Sequence, residues 1–208
     1  MANLILKPGS GGSLILQDQA GTPVISIDAS GNSTLAAISN ATVFPVGHVL
    51  QFKSTVVTDR ASSIDDDTSG TGTDCGLNVT ITPVSATSDF LISLSIGKWG
   101  SAASNSMGII LSKDGTKIGN GVDASSRNGI FCGGVKFSWN DSNHCDGTAA
   151  HYLDTVSGTA ARTYKCGLIS QYTNAPMHIN RNGSHSDNDS VYSSYTQSSL
   201  TVMEIQGA

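Results

Sequence analysis

Apolar residues open this chain in triplets ten apart: Leu4-Ile5-Leu6, Leu14-Ile15-Leu16, and Val24-Ile25-Ser26 with Ile27 beyond. Gly11, Gly21 and Gly31 keep the same interval, as do Asp18 and Asp28. A fixed period of a very short strand and a glycine-containing turn is the signature of repetitive β-structure. Side chains alternate faces along a strand, so Leu-Ile-Leu sets apolar groups on both faces. Burying these few side chains releases less free energy than ordering the segment costs in chain entropy. Another surface must therefore cover them, and the simplest one is another copy of the same chain. Leu4, Ile5, Leu6, Leu14, Ile15, Leu16, Val24, Ile25 and Ile27 are thus predicted to hold copies of the chain together.

The repeat fades after Thr34-Leu35, and Ser39 to Thr42 reads as a connector ending at Phe44-Pro45. From Val46 the pattern lengthens. Leu77, Val79 and Ile81 alternate with polar residues, and Phe90, Ile92, Leu94 and Ile96 alternate with Leu91, Ser93 and Ser95, as half-buried strands should. Met107–Ser112, Asp114-Gly115 and Lys117-Ile118 read as a hairpin turning at Asp-Gly. Further strands are predicted near 46–57, 129–139, 149–156, 161–171, 176–181 and 199–206. Polar segments at 58–75, 97–106, 119–128, 139–147 and 182–198 are the predicted loops. The expected fold is all-β: a short, repetitive, self-associating β stem over 1–44, then a jelly-roll-like antiparallel β-sandwich head over 45–208.

Composition agrees and removes several functions. The chain has one Glu, Glu204, against fifteen Asp, a bias toward turns and away from helices. Charged residues make up 13% and the net charge is −5, which argues against a nucleic-acid groove. No apolar run is long enough to insert in a membrane. The start, Met1-Ala2-Asn3-Leu4, lacks the basic region and apolar core of a secretory signal, and it leads directly into the repeat. Cys75, Cys132, Cys145 and Cys166 show no Cys-x-x-Cys spacing and are expected as free thiols of a protein made in a reducing compartment.

Catalytic spacings are missing: there is no nucleophile elbow, His-Glu-x-x-His or phosphate-binding loop. Asp65-Asp66-Asp67 reads as a solvated loop. His178-Ile179-Asn180 followed by His185, Asp187 and Asp189 has ligand-type residues at short spacing that a calcium ion could accept, but a flexible polar loop accounts for them better. The Asn140–Asp146 stretch, with His144 and Cys145, offers too few ligands for zinc. Neither a metal nor another cofactor is expected. Trp99 and Trp139 are expected in the core, whereas Tyr192 and Tyr195 fall in a Ser/Asp/Asn-rich loop suited to recognition. His185, Asp187, Asp189, Tyr192 and Tyr195 form the candidate ligand loop.

Several short motifs carry a family resemblance. The run from Leu4 to Leu16, with Ile27-Asp28-Ala29-Ser30-Gly31-Asn32, resembles the N-terminal repeats of tailed-bacteriophage fibre proteins, notably of marine and cyanobacterial phages. Val46 to Gln51, Val79 to Pro83, Leu153-Asp154-Thr155 ahead of Thr163-Tyr164, Ile179-Asn180-Arg181 and Ser199 to Ile205 are similar too. The resemblance implies a homotrimeric virion appendage with a β-rich head and no catalytic residues, which makes the apolar stem residues Leu4 to Ile27 trimerisation residues. It predicts a structural protein, not an enzyme, made in the host cytoplasm and placed on the virion surface. Its N-terminal end would contact tail or capsid proteins, and its head a host-surface glycan or protein. A capsid decoration, cement or head-fibre protein is the close alternative. A polysaccharide depolymerase is more distant, because its paired carboxylates lack a second Glu.

Overall fold

The computed structural model describes residues 12–17, 23–35, 44–59, 70–101, 106–124, 128–136, 147–155, 157–170, 177–181 and 195–208. The chain divides into two compact units, Met1–Phe44 and Pro45–Ala208. Among the described residues both are built of antiparallel strands, with no helix.

In the first unit β1 (Leu14–Gln17), β2 (Pro23–Ile27) and β3 (Ser33–Leu35) form a meander in the order β1-β2-β3. Leu14 pairs with Ile27 and Leu16 with Ile25, which puts four apolar residues on one face; Ile15 opposite Ser26 lies on the other. The β2–β3 turn explains why Asp and Gly recur. Asp28 Oδ1 accepts the Ser30 and Asn32 amides at 2.9 and 2.8 Å, and Oδ2 accepts Asn32 Nδ2 at 3.0 Å. Gly31 takes φ +84°, a conformation open to glycine at little cost. These bonds, led by the one from the Asn32 side chain, hold the Asp28 carboxyl below its ordinary value. Leu4, Ile5 and Leu6 lie outside the described residues.

The second unit has eight principal strands: β4 (Val49–Val57), β5 (Thr73–Ile81), β6 (Asp89–Ile96), β8 (Ser106–Lys113), β10 (Cys132–Lys136), β11 (Thr148–Thr155), β12 (Arg162–Ser170) and β14 (Ser198–Ile205). Three short ones, β7 (Trp99–Ser101), β9 (Thr116–Lys117) and β13 (Met177–Ile179), make up the rest among the described residues. One sheet runs β10-β8-β12-β5, with β9 beside β8; the other runs β11-β6-β14-β4. Four pairs are nested along the chain, β8 with β10, β6 with β11, β5 with β12 and β4 with β14. Two more pairs, β12 with β8 and β14 with β6, join these into sheets.

The core lies between the sheets. Leu77, Val79 and Ile81 of β5, Ile109 and Leu111 of β8, and Tyr164 and Leu168 of β12 meet Phe90, Ile92, Leu94 and Ile96 of β6 and Leu200 and Val202 of β14. The alternating segments thus became strands with one face inward, as their pattern requires. At the hairpin, Asp114 (φ +50°) and Gly115 (φ +82°) are both left-handed, as a two-residue turn matching strand twist needs. The predicted 97–106 loop requires correction, because Trp99–Ser101 is a strand that pairs with β13. The predicted 58–75 loop likewise ends earlier, at Thr73.

Cys75, Cys132 and Cys166 are free thiols, and Cys145 lies outside the described residues. Burial pushes the Cys75 thiol up to about 11 and the Cys166 thiol well above its ordinary value. Cys75 should therefore resist a thiol reagent at pH 8 in the folded chain and react promptly in urea. Kinetics with a chromogenic disulfide check this, and rapid native labelling of Cys75 would contradict it. The neutral thiol is favoured by folding, so its contribution to stability is whole below pH 9.0 and is lost as pH rises through about 11.

Candidate functional site: the long-connection end of the sandwich

The register gives the second unit two unlike ends. Ser198 pairs with Val57, Thr148 with Ile96, Lys136 with Ser106, and both Leu168–Thr73 and Ser170–Met107 fall at the same level. The connections 58–72, 97–105, 137–147 and 171–197 therefore all start and finish at strand ends gathered on one side. The 118–131 connection starts and finishes partway along β8, where Ile118 donates to the Leu111 carbonyl and Phe131 to that of Ile109. At the other end the turns at 82–88 and 114–115 are short, and backbone bonds tie that end down. Gly47 donates to the Gln206 carbonyl at 2.8 Å, and Gly158 to that of Ala86 at 2.7 Å. The chain passes from the first unit into this short-turn end, through Pro45–His48.

One asparagine organises the base of the long-connection end. Asn180 is fully buried with φ +67°. Its Nδ2 donates to the carbonyls of Val57 (2.8 Å) and Asp59 (3.3 Å), and its Oδ1 accepts Ser198 Oγ at 2.6 Å. Its amide donates to the Lys98 carbonyl at 2.8 Å, and its own carbonyl accepts the Thr196 amide at 3.1 Å. A single residue thus fastens the end of β4 and the start of β14 through its side chain, and the β6–β7 junction and the lead into β14 through its backbone. Beside it the β7–β13 ribbon pairs Trp99 with Ile179 and Gly100 with His178, and Trp99 is fully buried. Loops anchored on a rigid base are where proteins place recognition residues.

The sequence-predicted residues divide accordingly. Tyr195 stands at this end, 44% exposed. His185, Asp187, Asp189 and Tyr192 lie outside the described residues, in a connection whose flanking positions, Arg181 and Tyr195, belong to this end. Asp65–Asp67, Trp139 and the Asn140–Asp146 stretch also lie outside them, again in connections that depart from here. His178 and Asn180 are removed from the suggested cation cluster. His178 is buried with Nε2 2.7 Å from an Arg181 guanidinium nitrogen, and Asn180 is occupied as above. Among the described residues no group of three or more His, Cys, Asp or Glu could hold a metal.

At the opposite end, two buried carboxylates that sequence reasoning left unassigned are occupied by structure. Asp154 accepts Lys113 Nζ at 2.8 and 3.0 Å and the Tyr164 hydroxyl at 2.8 Å. Burial, then that carboxylate, drives the Tyr164 phenol far above its ordinary range. Arg162 donates to the carbonyls of Ser157 and Gly158, both at 2.9 Å, while its guanidinium lies 4.8 Å from the Phe90 ring centre. Glu204 Oε1 accepts the Val84 amide (2.7 Å), the Ser85 amide (3.1 Å) and Ser88 Oγ (2.6 Å), and Oε2 accepts Gln51 Nε2 at 2.6 Å. Each carboxylate has its oxygens filled by turn-holding donors, so both act as pins. The Leu153–Thr155 and Thr163–Tyr164 motifs are explained by this network. No family model matches this chain, and no curated protein matches it in sequence.

Proposed function

We propose that this chain is a structural virion protein of a tailed phage, a homotrimeric short fibre whose residues 1–44 join the copies and attach them to the particle. The second unit is a jelly-roll head that presents its long connections to a host surface. Four nested strand pairs rolled into two sheets are the pairing expected of two Greek keys, which supports the jelly roll. The four apolar residues on one face of the β1–β3 sheet support the trimer, since Leu16 remains 47% exposed there. The observation that carries the adhesive role is the polarity of the second unit. The chain arrives at the short-turn end, and the four connections 58–72, 97–105, 137–147 and 171–197 leave from the opposite one. Three weak head contacts on one stem would gain avidity without any tight single site.

Sedimentation of the full chain at tens of micromolar is the test. A species of about three times 21.4 kDa is expected, and a stable monomer overturns the stem assignment. Binding of that trimer to host cells, lost on proteolysis of the long connections, tests the head; a trimer that ignores the host surface but coats capsids would make it a decoration protein.

A further inference from the structure

The outward faces of the two sheets of the second unit are unlike. On the outer face of the β10-β8-β12-β5 sheet, Ile110 is fully buried. Opposite it in register is Gly167, where the Thr71 carbonyl occupies the place a Cβ would take. Among the described residues, none covers the outer face of the β11-β6-β14-β4 sheet in this way. Across it the register aligns Phe52 with Met203, Met203 with Leu91, and Leu91 with Leu153, an apolar row spanning all four strands. Phe52 is 67% exposed and Leu153 48%. The adjoining row is Ser54, Thr201, Ser93 and His151, whose hydroxyls and imidazole bond along the sheet at 2.9 and 3.0 Å. On the far side of the apolar row, Ile205 faces Val49, itself 49% exposed.

We infer that this face is an interface between copies of this chain, Phe52 and Met203 of one packing on a neighbouring copy. An aromatic and a methionine, with Asp89 at the border of the field as the one carboxylate among the aligned residues, have the composition of an interface centre, and a solvated sheet face alternates to charge instead. The size points to a copy, not to a separate partner. Four strands about 4.8 Å apart and four rows along them cover roughly 400 Å², about half of what each side of a stable complex contributes. Such a patch does not hold a free partner, but it suffices between tethered copies. Only Pro45–His48 separate Phe44 from Val49, and four residues reach at most about 14 Å. Association of the first unit therefore brings the second units to millimolar effective concentration. The inference rests on the proposed stem.

Hydroxyl-radical footprinting of the full chain reads the face directly, with Tyr195 as an exposed reference. Phe52 and Met203 should be oxidised about five-fold more slowly in the wild-type oligomer than in a Leu16→Glu/Ile25→Glu chain that sediments as a monomer, with Tyr195 unchanged. Phe52→Ser, a surface substitution that leaves the core intact, should make the oligomer dissociate at about ten-fold higher concentration. An oligomer in which Phe52 reacts as fast as in the monomer, or in which Phe52→Ser changes nothing, overturns the interface and leaves the stem standing. A monomeric wild-type chain overturns both.

Discussion

Glu204→Ala should destabilise the second unit by about 3–5 kcal/mol, because several buried donors lose their shared acceptor at once. The carboxylate is fully buried. Four donors converge on it: two amides and a hydroxyl of the 82–88 turn, and the Gln51 amide. Alanine leaves these donors facing a hole, and each stranded buried donor costs about 1–3 kcal/mol unless water reaches it. Glu204→Gln separates charge from geometry. It keeps an oxygen for Val84, Ser85 and Ser88, but turns an NH₂ toward Gln51 Nε2, itself a donor that also serves the Thr82 carbonyl at 2.7 Å. About 1–2 kcal/mol is expected for it. Urea unfolding of the full chain, followed by tryptophan fluorescence, measures both, and a loss under 1 kcal/mol for the alanine variant would remove Glu204 as the turn's anchor.

Glu204 also marks how far the sequence could be read. Leu200, Val202 and Glu204 are spaced by two on one strand, so the alternation that put the first two inside also put the carboxylate inside. A lone Glu at an inward position is a legible sign of a buried anchor, yet read by composition it only weakened a hydrolase. Strand positions were legible for the same reason: Phe90 to Ile96 needs no tertiary information to declare one buried face. The Asp28-to-Asn32 turn was legible because its Asp and Gly recur. Strand order was not, since Glu204 and Gln51 come together from 153 residues apart and no local pattern records that pairing. The β7–β13 ribbon was hidden because three-residue strands containing Gly100 and His178 show no alternation. The polarity of the second unit follows from strand order, so the convergence of the long connections emerged only from the register.

Asn180→Ala should cost about 3–4 kcal/mol and loosen the long-connection end selectively. Part of this is backbone: a residue with a Cβ held at φ +67° is disfavoured by about 1 kcal/mol, a penalty asparagine largely escapes. The remainder is three side-chain hydrogen bonds, whose loss leaves the Ser198 hydroxyl and the Val57 carbonyl short of partners in a buried site. Asn180→Gly removes the backbone penalty but not the lost bonds, so it should recover about 1 kcal/mol. Asn180→Asp keeps the acceptor for Ser198 while turning an oxygen toward the Val57 and Asp59 carbonyls, and it should be no better than alanine. Hydrogen exchange distinguishes this anchor from Glu204. In Asn180→Ala the amides of Thr196 and of Asn180's replacement should exchange early while Gln206 and Gly158 stay protected; in Glu204→Ala the order should reverse. Uniform loss of protection in both variants would mean that the two ends unfold as one and that Asn180 is no local fastening.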